Sequence, residues 1–204
     1  MIRAPYSTSG TAGIPSDASI RELVAVREIV HAFLTADRPQ DVYQFALDRV
    51  SPLVGAAFAS VYTIADDDDV MRLAASYNWP ERFRPFLGEM RVRVGLGPSG
   101  QAAGERRAIQ VPDVFADPSL ADWQEVATEL GFRALVALPL QTPARVLGAV
   151  TFYFAKPGHL ALEERGLLQI VADQMAATAE RAEMIVDLRR GFGALLESSA
   201  QHEQ

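Results

Sequence analysis

The chain has 204 residues, a formal net charge of −7 and no cysteine, a composition that bounds its structure and partners. The length suffices for one domain with a full core plus extensions, and the missing cysteines exclude disulfides, thiolate metal sites and a cysteine nucleophile. The acidic balance argues against nucleic acid as a partner, because phosphate binding needs a basic surface.

The N-terminal part is predicted to contain a tail and two helices. Residues 1–18 are rich in Ser, Thr, Gly and Pro, which predicts a disordered tail, and they lack the apolar segment of a signal peptide. Apolar residues then recur at helical spacing over 20–35, after a capping box formed by Ser19 and Glu22. A break at Pro39 precedes the second helix.

Two pairs of apolar segments predict β-hairpins. The first pair, 56–64 and 70–79, flanks an acidic tip at 66–69. We interpret this tip as a solvated loop, since calcium loops alternate their ligands with spacers. The second pair is 133–141 and 145–154. The longest apolar run is ten residues, too short to span a bilayer, so we expect a cytoplasmic protein with no membrane partner.

The segment between the hairpins, residues 80–132, is called the excursion here. It combines short helices and strands with turns, and Asp117 is a good N-cap for its last helix. A long helix is predicted from 161 to 190, followed by a C-terminal tail at 191–204. Strands in hairpins imply an antiparallel sheet, so the order of elements predicts an α+β domain over 19–190.

The excursion contains VGLGPSG, residues 94–100, which has the G-x-G-x-x-G spacing of a dinucleotide-binding turn. A Rossmann fingerprint needs a buried parallel strand before the glycines and a substantial helix after them. Here alternating arginines mark the preceding strand as half-exposed, and the following helix is short and weakened by Gly104. We therefore predict a sharp turn, whose helix N-terminus near Ser99 and Gly100 could still offer backbone N–H groups to an anion.

Four segments, in order, resemble the GAF family of sensory and signalling domains. They are VGLGPSGQAAGERRAIQVPDV (94–114), LGFRALVALPL (130–140), VLGAVTFYF (146–154) and EERGLLQIVADQMAATAERA (163–182). The resemblance covers about residues 21–190. It implies an antiparallel sheet of five or six strands, with terminal helices packed on one face. A helix and loop excursion would form a small-molecule pocket on the other face.

The resemblance leaves the ligand unknown, because GAF domains bind cyclic nucleotides, bilins, haem, amino acids or oxo-acids, and some bind nothing known. Covalent bilin attachment and the free methionine sulfoxide reductase activity of one subfamily both depend on cysteine, which is absent. Haem is not expected, because His31, His159 and His202 are poorly placed as axial ligands. The sequence contains no H-E-x-x-H, G-x-S-x-G or P-loop motif, so we expect no enzymatic activity.

Residues around the excursion are the candidates for lining a pocket. They are Tyr77, Trp79, Leu96, Ser99, Val114, Phe115, Trp123, Phe132 and Arg133. An aromatic ring could stack on a planar ligand, and Arg133 could hold an anion. The alternative is that the aromatic residues fill this space as core and that Asp113 only stabilises its own turn. An empty, polar-lined cavity of roughly a few hundred cubic ångströms would favour sensing, whereas a cavity filled by Trp123, Phe115 and Phe132 would favour a ligand-free scaffold.

The closing helix carries a second apolar stripe beyond the one that can cover the sheet. Its residues are Leu167, Ile170, Ala177, Met184 and Leu188. In GAF sensors the end helices commonly form a parallel dimer, so we expect a homodimer through the first and last helices. An intramolecular helix pair is the alternative. The expected function is small-molecule sensing in signal transduction, with a kinase or another output protein as downstream partner. A ligand-free scaffold for dimerisation or partner docking is the alternative function.

Overall fold

A computed structural model describes residues 38–64 and 69–202, the side chains as far as 192, together with four residues of the predicted N-terminal helix. These four residues, Val24, Arg27, Glu28 and His31, are helical. The predicted tail at 1–18 and most of the acidic tip at 66–69 lie outside the described residues. No helix in the described part is both long and apolar enough to cross a membrane.

The described elements alternate much as the sequence predicts. In chain order they are α1 Pro39–Leu53, β1 Phe58–Ile64, β2 Val70–Tyr77, α2 Arg84–Glu89, β3 Val92–Arg93, α3 Gly97–Glu105, β4 Ile109–Val111, α4 Gln124–Leu130, β5 Ala134–Gln141, β6 Val146–Phe154 and α5 Leu162–His202. Short 3₁₀ helices lie at Glu81–Phe83, Val114–Ala116 and Pro118–Trp123. The closing helix α5 thus continues to His202, where the sequence suggested a tail from residue 191.

The six strands form one antiparallel sheet in the order β3-β2-β1-β6-β5-β4. Each predicted hairpin is present, and β1 pairs with β6 to join the two hairpins at the centre. The outermost strands are the shortest, with two residues in β3 and three in β4. The expected α+β class and antiparallel sheet of five or six strands are confirmed, and the sheet has six strands.

Helices α1 and α5 cover one face of the sheet. Side chains from β5 and β6, such as Val136, Leu138 and Phe152, point into this core and are almost completely buried. The facing side of α5 is rich in small residues, including Ala172 and Ala176, which let the helix lie close to the sheet. Each fully buried leucine here contributes about 1.5–3 kcal/mol through the hydrophobic effect.

The excursion covers the opposite face. Two further clusters of buried side chains lie beneath it, one around Phe132 and Tyr153 and one around Tyr62 and Met71. Both faces of the central strands are therefore buried, which explains why β5 is a continuous apolar run rather than an alternating one.

The glycine motif is a turn at one edge of the sheet, as predicted. Gly95 and Gly97 have φ angles of +86° and +63°, values that favour glycine. The N–H of Gly95 donates to the carbonyl of Gly100 at 2.7 Å. A Cβ atom on Gly100 would lie 2.1 Å from the carbonyl oxygen of Arg93. The motif thus lets two backbone segments pack closely where α3 begins.

Candidate functional site

A small cavity lies between the sheet and the excursion. Its volume is about 20 Å³, enough for about one water molecule. It is lined by Pro98, Ser99, Val114, Leu120, Trp123, Phe132, Leu135, Thr151 and Tyr153. The space at which a GAF-like pocket was predicted is therefore present, but side chains nearly fill it.

Three residues with hydroxyl groups, Ser99, Thr151 and Tyr153, line one side of this cavity. The hydroxyl of Ser60 lies outside the lining, beside that of Tyr153, and the four residues together are called the hydroxyl floor here. Ser99 and Thr151 share a hydrogen bond of 2.8 Å between their side-chain oxygens. Ser60 stands opposite Thr151 in the β1–β6 pairing, and its Oγ lies 3.4 Å from the Tyr153 hydroxyl. All four residues are at least nine-tenths buried.

The hydroxyl floor is electrically neutral. Burial raises the pKa of the Tyr153 hydroxyl to about 12, and the hydrogen bond with Ser60 offsets this only in part. The phenol therefore stays protonated at neutral pH. Neutral hydroxyls both donate and accept hydrogen bonds, so the floor suits an uncharged polar group better than an ion.

Aromatic rings pack around Tyr153. Phe132 and Trp79 meet its ring edge-on, with ring centroids 5.0 and 5.4 Å away. Trp79 also donates its indole N–H to the carbonyl of Ala59 at 3.1 Å, so its polar atom is already satisfied within the core. This packing is favourable by itself and orients the Tyr153 hydroxyl.

The side of the cavity opposite the sheet, called the roof here, consists of the 3₁₀ helices Val114–Ala116 and Pro118–Trp123 and of α4. Two aspartates stabilise it. Asp113 accepts a hydrogen bond from the N–H of Phe115 at 3.1 Å, and Asp117 accepts one from the N–H of Ser119 at 2.9 Å. These bonds cap the two 3₁₀ helices of the excursion, and the second confirms Asp117 as an N-cap. Asp113 thus performs the local role that the sequence analysis gave as an alternative to ligand binding.

Arg133 is engaged at the surface beside this roof. Its guanidinium donates two hydrogen bonds to Asp113, at 3.2 Å from Nε and 2.5 Å from the terminal nitrogen, and it lies 5.1 Å from the Phe115 ring centroid. The hydrogen bonds from Arg133 hold the pKa of the Asp113 carboxyl below its usual range. Arg133 therefore anchors the excursion to β5, and an anion at this point would compete with Asp113.

The structure brings together four of the sequence-predicted site residues, Ser99, Val114, Trp123 and Phe132, on the cavity wall. Trp79 lies in the same core cluster behind the wall.

The other four predicted residues lie elsewhere. Phe115 and Arg133 are on the outer surface, and Leu96 is 61% exposed in the glycine turn. Tyr77 packs against the core on the opposite face of the sheet. The register of β2 shifts by one residue between Leu73 and Ala75, and this bulge turns the end of the strand away from the cavity.

Sequence reasoning missed Thr151 and Tyr153, which carry half of the hydroxyl floor. The signal was present in VLGAVTFYF, where Ala149, Thr151 and Tyr153 alternate with larger apolar residues. Residues two apart in a strand share a face, so this pattern could have indicated a polar strip facing the excursion.

Two larger clefts open on the surface away from the cavity. One, of about 810 Å³, lies beside the start of α1, and its arginines pair with neighbouring acids, Arg38 with Asp41 and Arg145 with Glu183. The other, of about 390 Å³, lies beside the start of α5. None of the nine predicted site residues lines either cleft. Among the described residues, no three His, Asp or Glu side chains are grouped as a metal site requires.

The family is decided by a comparison with known protein families. The sequence model of the GAF domain matches residues 36–179, most of the chain. The chain belongs to the GAF domain family. GAF domains are generally regulatory and are common in signalling and sensing proteins. No curated protein matches the sequence.

Solved structures show the same fold in distant GAF domains. The GAF domain of a phosphoenolpyruvate-protein phosphotransferase from Coxiella burnetii has a TM-score of 0.70 and 19% identity, and the match covers 84% of this chain and 99% of that one. Its counterpart from Acinetobacter has a TM-score of 0.66 and 12% identity, with 84% and 98% covered. The free methionine-R-sulfoxide reductase of Neisseria meningitidis, solved with its substrate, has a TM-score of 0.66 and 17% identity, and the match covers 85% of this chain and 96% of that one.

Proposed function

We propose that this GAF domain is a regulatory, non-catalytic signalling module that senses a small molecule beneath the excursion. The hydroxyl floor is the observation that carries the proposal. An interior built only for packing gains little from four neighbouring hydroxyls, because each must be desolvated on folding. Together with the rings of Trp123 and Phe132, the floor provides apolar walls and a few convergent polar groups, the usual composition of a ligand pocket.

Binding requires the roof to move, because the present cavity holds about one water molecule. The roof consists of short 3₁₀ helices and α4, held by local caps, by the N–H of Val114 on the carbonyl of Arg133, and by the Arg133–Asp113 pair. Such segments open at lower free energy than the central strands. A ligand would therefore convert a closed domain into an open, ligand-filled one, and this difference is the signal.

The proposal includes a homodimer formed through the first and last helices, with a kinase or another output protein downstream. It is supported by exposed apolar side chains on α5, such as Ile170, Met184 and Leu188, which are 59–73% exposed. Exposed apolar surface of this kind marks interaction sites in proteins.

A thermal-shift screen tests the sensing function. The compounds are cyclic nucleotides, amino acids, oxo-acids, haem and bilins, and a ligand that binds the native state raises the unfolding temperature by mass action. The matched variants are Thr151→Val, which removes a floor hydroxyl, and Thr63→Val, which removes a partly exposed hydroxyl near the end of β1, away from the floor and the roof. We expect a shift that Thr63→Val keeps and Thr151→Val reduces. A shift that both variants keep would place the ligand elsewhere.

A second candidate function is a ligand-free scaffold for dimerisation or docking. The volume of about 20 Å³ favours it, since the aromatic side chains already fill the space. Uniformly flat thermal shifts from a protein that still dimerises would support the scaffold and contradict sensing.

A further inference from the structure

The side of α5 that points away from the sheet is exposed along its whole described length. We call this side the outer face of α5. Its residues are Leu162, Gly166, Ile170, Asp173, Ala177, Arg181, Met184, Leu188 and Phe192. Successive members are three or four residues apart, so they form one continuous stripe of about 45 Å along the helix.

The outer face is predominantly apolar. Its five large apolar side chains are between 59% and 73% exposed, from Ile170 at 59% to Leu188 at 73%. The residues that α5 buries against the domain, such as Leu168 and Met175, lie on its other side. The domain is thus covered by one side of α5 while an apolar stripe remains on the other, which a surface helix needs only when it has a partner.

The outer face is symmetric when the chain direction is reversed about Ala177. Ile170 and Met184 lie seven residues before and after this centre, and both are apolar. Leu162 and Phe192 lie fifteen residues before and after it, and both are again apolar. Reversal therefore places large apolar side chains against each other at these two pairs of positions, whereas Leu188, eleven residues after the centre, meets Gly166, eleven residues before it.

The two charged residues of the stripe are also placed symmetrically about Ala177, and their charges are opposite. Asp173 lies four residues before Ala177 and Arg181 four residues after it. In an antiparallel pair of helices each Asp173 would face the partner's Arg181. A parallel pair would place Asp173 against the partner's Asp173 and Arg181 against the partner's Arg181, and such like-charge contacts are unfavourable.

We infer that a second copy of this chain packs on the outer face of α5 in antiparallel orientation, with the two-fold axis at Ala177. This inference rests on the proposed homodimer and specifies its geometry, which differs from the parallel arrangement common in GAF sensors. Ala177 is the smallest side chain of the stripe after Gly166, and its position on the axis lets the two helices approach closely. The contact is isologous, so each interaction occurs twice.

Cysteine cross-linking tests the orientation directly, because the chain has no native thiol. The variants are Ala177→Cys, Ile170→Cys and Met184→Cys. We expect Ala177→Cys to form a disulfide-linked dimer on its own. Ile170→Cys and Met184→Cys should cross-link only when the two variants are mixed. Met184→Cys linking to itself at comparable yield would indicate a parallel pair and overturn the inference.

Charge reversal provides an independent readout. Asp173→Arg would face the partner's Arg181 twice, so we expect the dimer dissociation constant to rise by about tenfold or more. The double variant Asp173→Arg/Arg181→Asp should restore dimerisation. Glu125→Arg on α4, away from the outer face, is the control and should leave the dissociation constant unchanged. Failure of the double variant to recover would contradict the antiparallel contact.

Light scattering separates this inference from the dimer on which it rests. A mass of 22.2 kDa for the wild-type chain at micromolar concentration would remove the homodimer itself. Twice that mass without any cross-link from the three cysteine variants would keep the homodimer and overturn the α5 interface. Neither outcome bears on ligand sensing, which the thermal-shift screen addresses separately.

Discussion

The side-chain oxygens of Ser99 and Thr151 lie 2.8 Å apart and connect the first turn of α3 to the middle of β6. Both residues are buried, and both line the cavity beneath the excursion. This single bond ties the glycine turn at the sheet edge to a central strand. The floor of the candidate site and the attachment of α3 are therefore one structural feature.

Replacing Thr151 by valine should destabilise the domain. The change keeps the shape of the side chain but leaves the buried Ser99 hydroxyl without its partner, which costs about 1–3 kcal/mol. Urea unfolding followed by circular dichroism measures the loss. Adding Ser99→Ala should recover part of it, because both polar groups are then absent. A neutral Thr151→Val variant would show that this hydrogen bond contributes little.

Replacing Ser51 by alanine should stabilise the domain. Among the described residues, the Oγ of Ser51 is the buried side-chain polar atom that has no hydrogen-bond partner. Alanine removes this desolvated hydroxyl and is also the better helix former in α1, so we expect a gain of about 1 kcal/mol. Ser60→Ala is the matched comparison and should destabilise, since the Ser60 hydroxyl contacts Tyr153. The unfolding temperatures of the two variants should therefore move in opposite directions.

Gly100→Ala should disrupt the glycine turn. The added Cβ would lie 2.1 Å from the backbone oxygen of Arg93, and neither atom can move without displacing α3 or β3. We expect a loss of several kcal/mol, about 3 or more, as for other overpacked or strained positions. Gly88→Ala is the control, because a Cβ there has no neighbour within 4 Å. Equal stabilities of the two variants would contradict the close approach.

The Asp113–Arg133 pair should make the excursion sensitive to acid. The folded state lowers the pKa of Asp113, chiefly through the hydrogen bond from Arg133, so the pair stabilises the fold above the unfolded-state pKa, near 3.8. This contribution should disappear as the pH falls through the lower, folded-state value. Carboxyl titration by NMR should show a lowered Asp113 pKa that returns toward its ordinary value in Arg133→Met. Because both side chains remain partly exposed, 44% for Arg133 and 24% for Asp113, solvent screens the pair and its effect on global stability should be small.

The fold was predictable because its signals are local. The apolar run in 145–154, the proline at the start of α1 and the Asp117 cap each specify an element without reference to distant residues. The end of α5 was less clear, because Arg190 followed by Gly191 resembles a helix terminus. The helix nevertheless continues to His202.

The candidate site was less predictable because it depends on register and on long-range pairs. A single extra residue in β2 decides that Tyr77 faces the helices rather than the excursion. Asp113 and Arg133 are twenty residues apart, so their pairing leaves no local trace and Arg133 looked available for an anion. Thr151 and Tyr153 lie near Ser99 only because α3 packs against β6, which is about fifty residues away in the chain.

The two outer strands of the sheet are too short to pair extensively with a strand of another molecule. With two residues in β3 and three in β4, the sheet offers almost no backbone ladder to an incoming strand. Long, flat edge strands are the usual sites at which strands of further molecules add and form aggregates, and short edge strands protect against such addition. The exposed leucine and phenylalanine side chains of α5 lie on a helix, whose backbone N–H and C=O groups are already paired, so they add no template for strand pairing.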